Sequence, residues 1–204
     1  MAQQAADATA VEIRPLTAER WPDLERLFAG RGDQASCWCT WWRLPGKDYE
    51  RARVAGRREV MTERARRPPA PGLLAYDGDV PVGWVAVAPR PEYPRIPRSA
   101  VATYDPSVPG CWAVTCFYVP PGRRGQGLTT ALLAAAVEHA RAHGARFLEG
   151  YPVDRAARGS SSAMYPGALG VFLRAGFGEV GRRRGRPTVR LSLAPAAENT
   201  SPGR

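Results

Sequence analysis

The sequence predicts an α/β fold, and three stretches carry that prediction. Cys111–Val119 is apolar, aromatic or β-branched, carries no charge and stops at Pro120-Pro121, the pattern of a strand covered on both faces. After a glycine-containing turn, Leu128, Leu132, Ala136 and Ala140 form one helical row with Leu133 and Val137 beside it. Gly72–Tyr76 and Val80–Ala88 read as a hairpin around Asp77-Gly78-Asp79. Completed along the chain, the pattern gives a sheet of roughly six to seven strands flanked by about four helices.

Taken in order, residues 1–10 are small and polar and read as a disordered N-terminus. Residues 11–194 read as one domain. Val11–Leu16 is a short strand, and Thr17 is placed to N-cap a helix running to about Phe28, with Leu24, Leu27 and Phe28 inward. Gly30-Arg31-Gly32-Asp33 breaks that helix. Cys37-Trp38-Cys39-Thr40-Trp41-Trp42-Arg43 then gathers three of the six tryptophans and two of the four cysteines. So much aromatic surface must cover something apolar. Asp48–Arg66 is helical and strongly basic, with Val54, Val60 and Met61 as its apolar contacts, and reads as a solvated face. Pro68-Pro69-Ala70-Pro71 ends it. Trp84, on the second hairpin strand, is a core residue. Pro89–Asp105, with four prolines, is an irregular surface loop.

Past the central unit, Gly144 caps the long helix, and Arg146–Tyr151 is the next strand. Pro152–Gly167, holding Ser160-Ser161-Ser162, is a long loop, and Ala168–Ala175 is a short helix. Glu179–Arg182 and Thr188–Leu193 are the last strands, the second marked by alternation of Val189, Leu191 and Leu193 with polar residues. Residues 195–204 form a loose tail.

Composition narrows the function. Hydrophobic content of 44% and charged content of 24% are those of an ordinary globular chain. No apolar run approaches a membrane span, and the first ten residues hold no basic region or apolar signal core. A cytoplasmic location without membrane attachment is therefore expected. Four cysteines do not make a disulfide scaffold. The net charge is +10, and Lys47 is the one lysine among 29 basic residues. That charge favours anionic partners.

The turn Gly122-Arg123-Arg124-Gly125-Gln126-Gly127 joins the central strand to the long helix. Glycines let successive N–H groups point at one spot, and the first helical turn adds unpaired N–H groups and a positive dipole end. With two arginines alongside, the turn reads as a site for a phosphate-type anion, the alternative being an ordinary glycine-containing strand–helix loop. It is neither a Walker loop, since no Gly-Lys-Ser/Thr follows, nor a dinucleotide fingerprint, whose glycine spacing it lacks.

Arg124-Gly125-Gln126-Gly127-Leu128-Thr129 resembles motif A, R-x-x-G-x-G/A, of the GNAT acetyltransferase superfamily, with Thr129 where Gly or Ala is usual. The resemblance extends over roughly residues 11–194. It implies a mixed, twisted sheet with a central splay. It also implies acetyl-CoA as co-substrate, its diphosphate bound by N–H groups of Arg124, Gly125, Gln126, Gly127, Leu128 and Thr129. The pantetheine arm would pair with the backbone of Phe117, Tyr118 and Val119 as an extra strand. The expected activity is transfer of an acetyl group to a primary amine of a small molecule or peptide.

The usual acid–base pair of that superfamily is missing. Its glutamate early in the central strand would fall near Ala113, and no acid lies between Cys111 and Val119. Its proton-donating tyrosine falls on Phe172 within Val171-Phe172-Leu173-Arg174-Ala175-Gly176-Phe177. Replacements are Glu149, on the adjacent strand, as base, and Tyr165 as acid, with Tyr151 second. For Glu149 the alternative is an exposed or salt-bridged strand residue, and for each tyrosine a surface or packing role. The tryptophan-rich segment is expected to wall the acceptor pocket or to plug one end of the core, and Arg43 is a candidate grip on a polar or acidic acceptor group. The Pro89–Asp105 loop is placed to fold over that pocket.

Cys37, Cys39, Cys111, Cys116, His139 and His143 supply enough ligands for a metal on paper, but Cys111 and Cys116 face opposite sides of a regular strand. No metal is expected. Cys116 as a covalent nucleophile is set against an inert buried thiol. Arg182-Arg183-Arg184-Gly185-Arg186 lacks interleaved aromatics and reads as a solvated hairpin tip rather than a nucleic-acid surface. A second reading of the whole chain is a non-catalytic module, either a coenzyme A sensor or an arginine-mediated nucleic-acid binder. The acceptor is expected to be aromatic or acidic rather than an aminoglycoside. The sequence does not set the oligomeric state; a homodimer is one option.

Overall fold

A computed structural model describes residues 11–30, 32–154 and 165–193. The expected disordered N-terminus, the tail and the Ser160-Ser161-Ser162 run lie outside the described residues. Seven strands, β1 (Glu12–Pro15), β2 (Gly72–Asp77), β3 (Val80–Pro89), β4 (Cys111–Tyr118), β5 (Phe147–Gly150), β6 (Gly178–Arg183) and β7 (Arg186–Ser192), form one sheet. Their order is β1-β2-β3-β4-β5-β7-β6. Only β4 and β5 run parallel, so the sheet is mixed, as expected.

The helices are α1 (Trp21–Phe28), α2 (Asp33–Cys37), α3 (Gly46–Ala65), α4 (Leu128–Ala142) and α5 (Leu169–Arg174). On one face of the sheet α4 buries Leu128, Leu132, Leu133, Ala136 and Ala140 against Val85, Val87 and Val114. Its alanines keep the helix thin, which suits close packing on a sheet. Gly144, at φ +75°, closes its end as read from the sequence. On the other face α1 buries Trp21, Leu24, Leu27 and Phe28 against Leu74, Trp84 and Tyr118. Each such large side chain contributes roughly 1.5–3 kcal/mol of transfer free energy.

Three local readings are corrected. The first helix begins at Trp21, after a turn in which the Arg20 amide bonds the Thr17 carbonyl, and no side chain caps it. The segment after Gly32 coils into the short α2, which propensity did not indicate. In α3, Met61 and Ala65 are buried while Val54 lies in solvent; the rest of that helix is the basic, solvated face expected.

Two features of the sheet position the site. Ala86 pairs with Cys116 and Val87 with Val114, so Thr115 is an extra residue bulged out of β4. The β4–β5 ladder ends at Val114 and Gly150, so Thr115–Tyr118 has no β5 partner and a gap opens there. Gly150 stands at the crotch of this splay. A Cβ there would lie 2.3 Å from the Phe172 ring, so only glycine lets α5 close against the sheet.

Candidate active site

The turn after β4 leaves a run of backbone amides unpaired among the described residues. Gly125 and Gly127 have φ of +80° and +77°, a conformation that strains any side chain. Arg123 and Arg124 direct their amides back to Pro120 and Pro121, leaving those that follow free. Among the described residues no backbone carbonyl accepts from the amides of Gly125, Gln126, Gly127, Leu128 or Thr129. They surround the N-terminus of α4, where the dipole adds positive potential. The Arg124 Nε donates to the Val119 carbonyl at 3.1 Å, and Arg123 pairs with Asp77 at 2.8 Å.

A cleft of about 420 Å³ runs from this turn into the splay. Phe117, Tyr118, Val119, Arg124, Gly125, Gly127, Leu128 and Thr129 all line it; Gln126, exposed on the outside of the turn, does not. The Phe117 amide is occupied within the chain, donating to the Tyr165 carbonyl at 2.6 Å.

A second cavity, of about 900 Å³, opens on the α1 and α2 side of the splay. Tyr165 lines both cavities and marks where they meet. Its ring stacks on Tyr118 with centroids 6.5 Å apart, and its hydroxyl donates to Gln34 Oε1 at 3.3 Å. Burial pushes the Tyr165 pKa upward, and the Asp33 carboxylate adds to that. Asp33 and Gln34 also line the cavity. In sequence Asp33 reads as part of a helix break and Gln34 carries no signal, because their place depends on α2, which local propensity does not indicate.

The tryptophan-rich segment plays both expected parts, divided residue by residue. Trp38 is buried, stacked on Trp21 at 5.6 Å and tilted against Phe28 at 5.6 Å, and so plugs the core. Trp41 and Trp42 line the large cavity. From the facing Pro89–Asp105 loop, Arg95 lays its guanidinium 3.8 Å from the Trp41 ring centroid. Arg98 and Arg186 line the same cavity, and among the described residues neither guanidinium has an ion-pair partner.

Arg43 does not reach this cavity. It is buried, bonded to Glu92 at 2.5 Å and to the Pro71 carbonyl and Tyr93 hydroxyl at 3.3 Å each. Glu92 also binds Arg64. Burial pushes the Glu92 carboxyl up, but Arg64 and Arg43 outweigh it and hold it below the usual carboxylate range. Arg43 is thus a structural tie, and its expected role as an acceptor grip is overturned by its partners.

Glu149 lines neither cavity. Its side chain is 1% exposed and takes hydrogen bonds from Arg90 at 3.2 and 3.3 Å, from Arg190 at 2.7 and 3.0 Å, and from the Tyr151 hydroxyl at 2.9 Å. A carboxylate held by two guanidiniums is in the ion-paired state that the sequence reading set against a catalytic base. Arg90 extends the network by donating to the carbonyls of Asp105 and Val108, which fixes the loop over the site. Tyr151 meets Trp42 across stacked rings 5.8 Å apart and is enclosed in the same network. Phe172 is fully buried, edge-on to Phe117 and Phe177.

The bulge at Thr115 changes the parity of β4, so Cys111 and Cys116 face the same side rather than opposite ones. Cys116 and Cys39 approach to 3.2 Å between sulfurs, and Cys37 lies nearby on the cavity wall. The Cys39 contact and burial raise the Cys116 pKa well above an ordinary thiol, and burial with the Glu149 charge pushes Cys111 up to about 12. Such thiols are protonated at neutral pH and poor nucleophiles. His139 and His143 pack on Trp112, on the opposite face of the sheet. Among the described residues no group of three or more His, Cys, Asp or Glu converges on a metal-sized site.

The Arg182–Arg186 run forms a hairpin turn at Arg184-Gly185. Arg182 pairs with Glu179 and Asp154, and Arg183 bonds the Ser99 and Ala102 carbonyls. No helix among the described residues is long and apolar enough to cross a membrane.

A mixed sheet splayed at its one parallel pair, with an amide-rich turn and a long helix at the mouth of the gap, is the fold that the motif resemblance implied. The model of the acetyltransferase (GNAT) family matches residues 38–159, more than half of the chain, and the chain belongs to that family. Among solved structures it is similar to the PaiA N-acetyltransferase of Thermoplasma acidophilum in complex with coenzyme A, at 14% identity and TM-score 0.53, covering 90% of this chain and 99% of that one. A GNAT-family acetyltransferase from Streptococcus pneumoniae gives 16% identity and TM-score 0.55 over 90% and 99%. The GNAT domain of S. lividans PAT gives 20% and 0.51 over 90% of each. At these identities the likeness is one of fold. No relative is found among curated proteins.

Proposed function

We propose that the protein transfers an acetyl group from acetyl-CoA to the primary amine of a small molecule or peptide. The observation that carries this reading is the meeting of two cavities at Tyr165, one walled by the amide-rich turn and the other by aromatic and charged side chains. The donor set suits the coenzyme: free amides from Gly125 to Thr129, a helix dipole and arginines are what a diphosphate requires. The complex formed by the T. acidophilum protein supports the same choice of co-substrate.

When bound, acetyl-CoA supplies a thioester whose carbonyl carbon the amine attacks while the carbon–sulfur bond breaks and the sulfur gains a proton. The turn amides hold the diphosphate. The Phe117 amide exchanges the Tyr165 carbonyl for an acceptor on the pantetheine arm. The Tyr165 hydroxyl, at the junction, donates the proton that the sulfur needs. Its raised pKa keeps that proton in place at neutral and mildly alkaline pH. Asp33, the one carboxylate on the large cavity among the described residues, holds the acceptor's ammonium end before it deprotonates to solvent. Glu149 is assigned no proton transfer; it anchors the strand and loop that frame the cavity.

The assay is release of free thiol from acetyl-CoA over a panel of amines. Turnover above background hydrolysis is expected, and Tyr165→Phe should lower kcat about 100-fold. An acid works only while protonated, so the wild-type rate should fall as pH rises through the Tyr165 pKa, which lies above the ordinary tyrosine value near 10. The variant should lack that limb. Coenzyme binding without turnover of any amine would favour the sensor reading instead.

A further inference from the structure

The proposed transferase reading leaves the acceptor open, and the charge layout of the large cavity narrows it. We infer that this cavity takes an amine that also carries a carboxylate, joined to an aromatic or similarly broad apolar body. The apolar part follows from Trp41, Trp42 and Tyr49 on the wall, with Trp41 and Tyr49 edge-on at 5.0 Å. Trp41 is exposed and Trp42 and Tyr49 are partly so, and aromatics that line a concave site mark where an apolar body is covered.

The anionic part follows from the arginines. Among the described residues the guanidiniums turned inward are satisfied: Arg43 by Glu92, and Arg90 and Arg190 by Glu149. Arg98 and Arg186 differ. Both line the cavity, and among the described residues neither side chain has a hydrogen-bond or ion-pair partner. Arg186 is half-buried, and its pKa is lowered by desolvation alone. Arg98 is exposed and water can serve it, but the half-buried Arg186 guanidinium is partly withdrawn from water without a carboxylate, and its planar fork matches a carboxylate in two-point contact.

Asp33 gives the cavity its acidic element, beside Tyr165 where the two cavities meet. An amine drawn to Asp33 lies next to the expected thioester, and a carboxylate on the same molecule meets Arg98 and Arg186. Polyamines fit poorly, because three arginines line the cavity against one carboxylate. The volume, about 900 Å³, admits a body as large as an aromatic amino acid or a short apolar peptide.

The test is direct binding to the protein by calorimetry, using phenylalanine, phenethylamine (the same amine without its carboxylate) and spermidine as probes. Phenylalanine should bind at least tenfold more tightly than phenethylamine, and spermidine more weakly still. In the Arg98→Gln/Arg186→Gln double variant, with its melting temperature checked, phenylalanine should fall to the level of phenethylamine. Equal affinities for phenylalanine and phenethylamine in the wild type, or an unaltered preference in the variant, would overturn the inference. Loss of coenzyme A binding or turnover on every amine would strike the transferase reading itself, and calorimetry on the acceptor alone separates the two failures.

Discussion

Arg124→Glu and Gly127→Trp are each expected to weaken coenzyme A binding at least 100-fold, about 3 kcal/mol, while leaving a folded protein. The first places a carboxylate where a diphosphate is to sit, and removes the Nε bond to the Val119 carbonyl. The second puts a bulky side chain on a residue at φ +77° whose added Cβ would project into open space, with no atom within 4 Å. Left-handed backbone costs a non-glycine residue roughly 1–2 kcal/mol, and the indole would fill the cradle. Neither position is buried, so the core is not touched. Calorimetric titration of the two variants, with circular dichroism to confirm the fold, gives the measurement. Unchanged affinity in both would contradict the cradle.

The second large effect concerns stability. Glu149→Ala should lower the unfolding free energy by about 3–5 kcal/mol, because it leaves Arg90 and Arg190 facing one another without their carboxylate. For a chain of this size that corresponds to a drop in melting temperature of roughly 10 °C. The Tyr151 hydroxyl loses its acceptor as well. A catalytic base would behave differently: Glu149→Gln would then abolish turnover with little thermal change. Glu149→Gln is instead expected to lose stability and to keep substantial turnover once the temperature is lowered.

How far the sequence revealed this molecule depended on the range of the interactions involved. The central strand, glycine turn and long helix were legible because their signals are local: an uncharged β-branched run, two glycines, and apolar residues at helical spacing. The hairpin of β2 and β3 was equally plain. The bulge at Thr115 was not, since it exists only in the register of β4 against β3. That one residue reversed the expected parity of Cys111 and Cys116. Arg43 and Glu149 could be noticed as charges but not placed. Arg43 pairs with Glu92, 49 residues on, and Glu149 with Arg90 and Arg190, 59 and 41 residues away, and no local pattern joins them. Tyr165 is marked in the sequence only by its place before the last helix, and its position between the two cavities is set by the fold. Asp33 and Gln34 give no signal for the opposite reason: a segment that follows two glycines reads locally as a plain break.

The central claim is that amides from Gly125 to Thr129 converge on a diphosphate. The most direct measurement is a titration of coenzyme A into nitrogen-15-labelled protein, followed at those five amides. Saturable shifts are expected there and at Phe117, whose bond to the Tyr165 carbonyl must be exchanged, and none in Arg124→Glu. Amides that stay in place while shifts gather on the Arg182–Arg186 hairpin would contradict it.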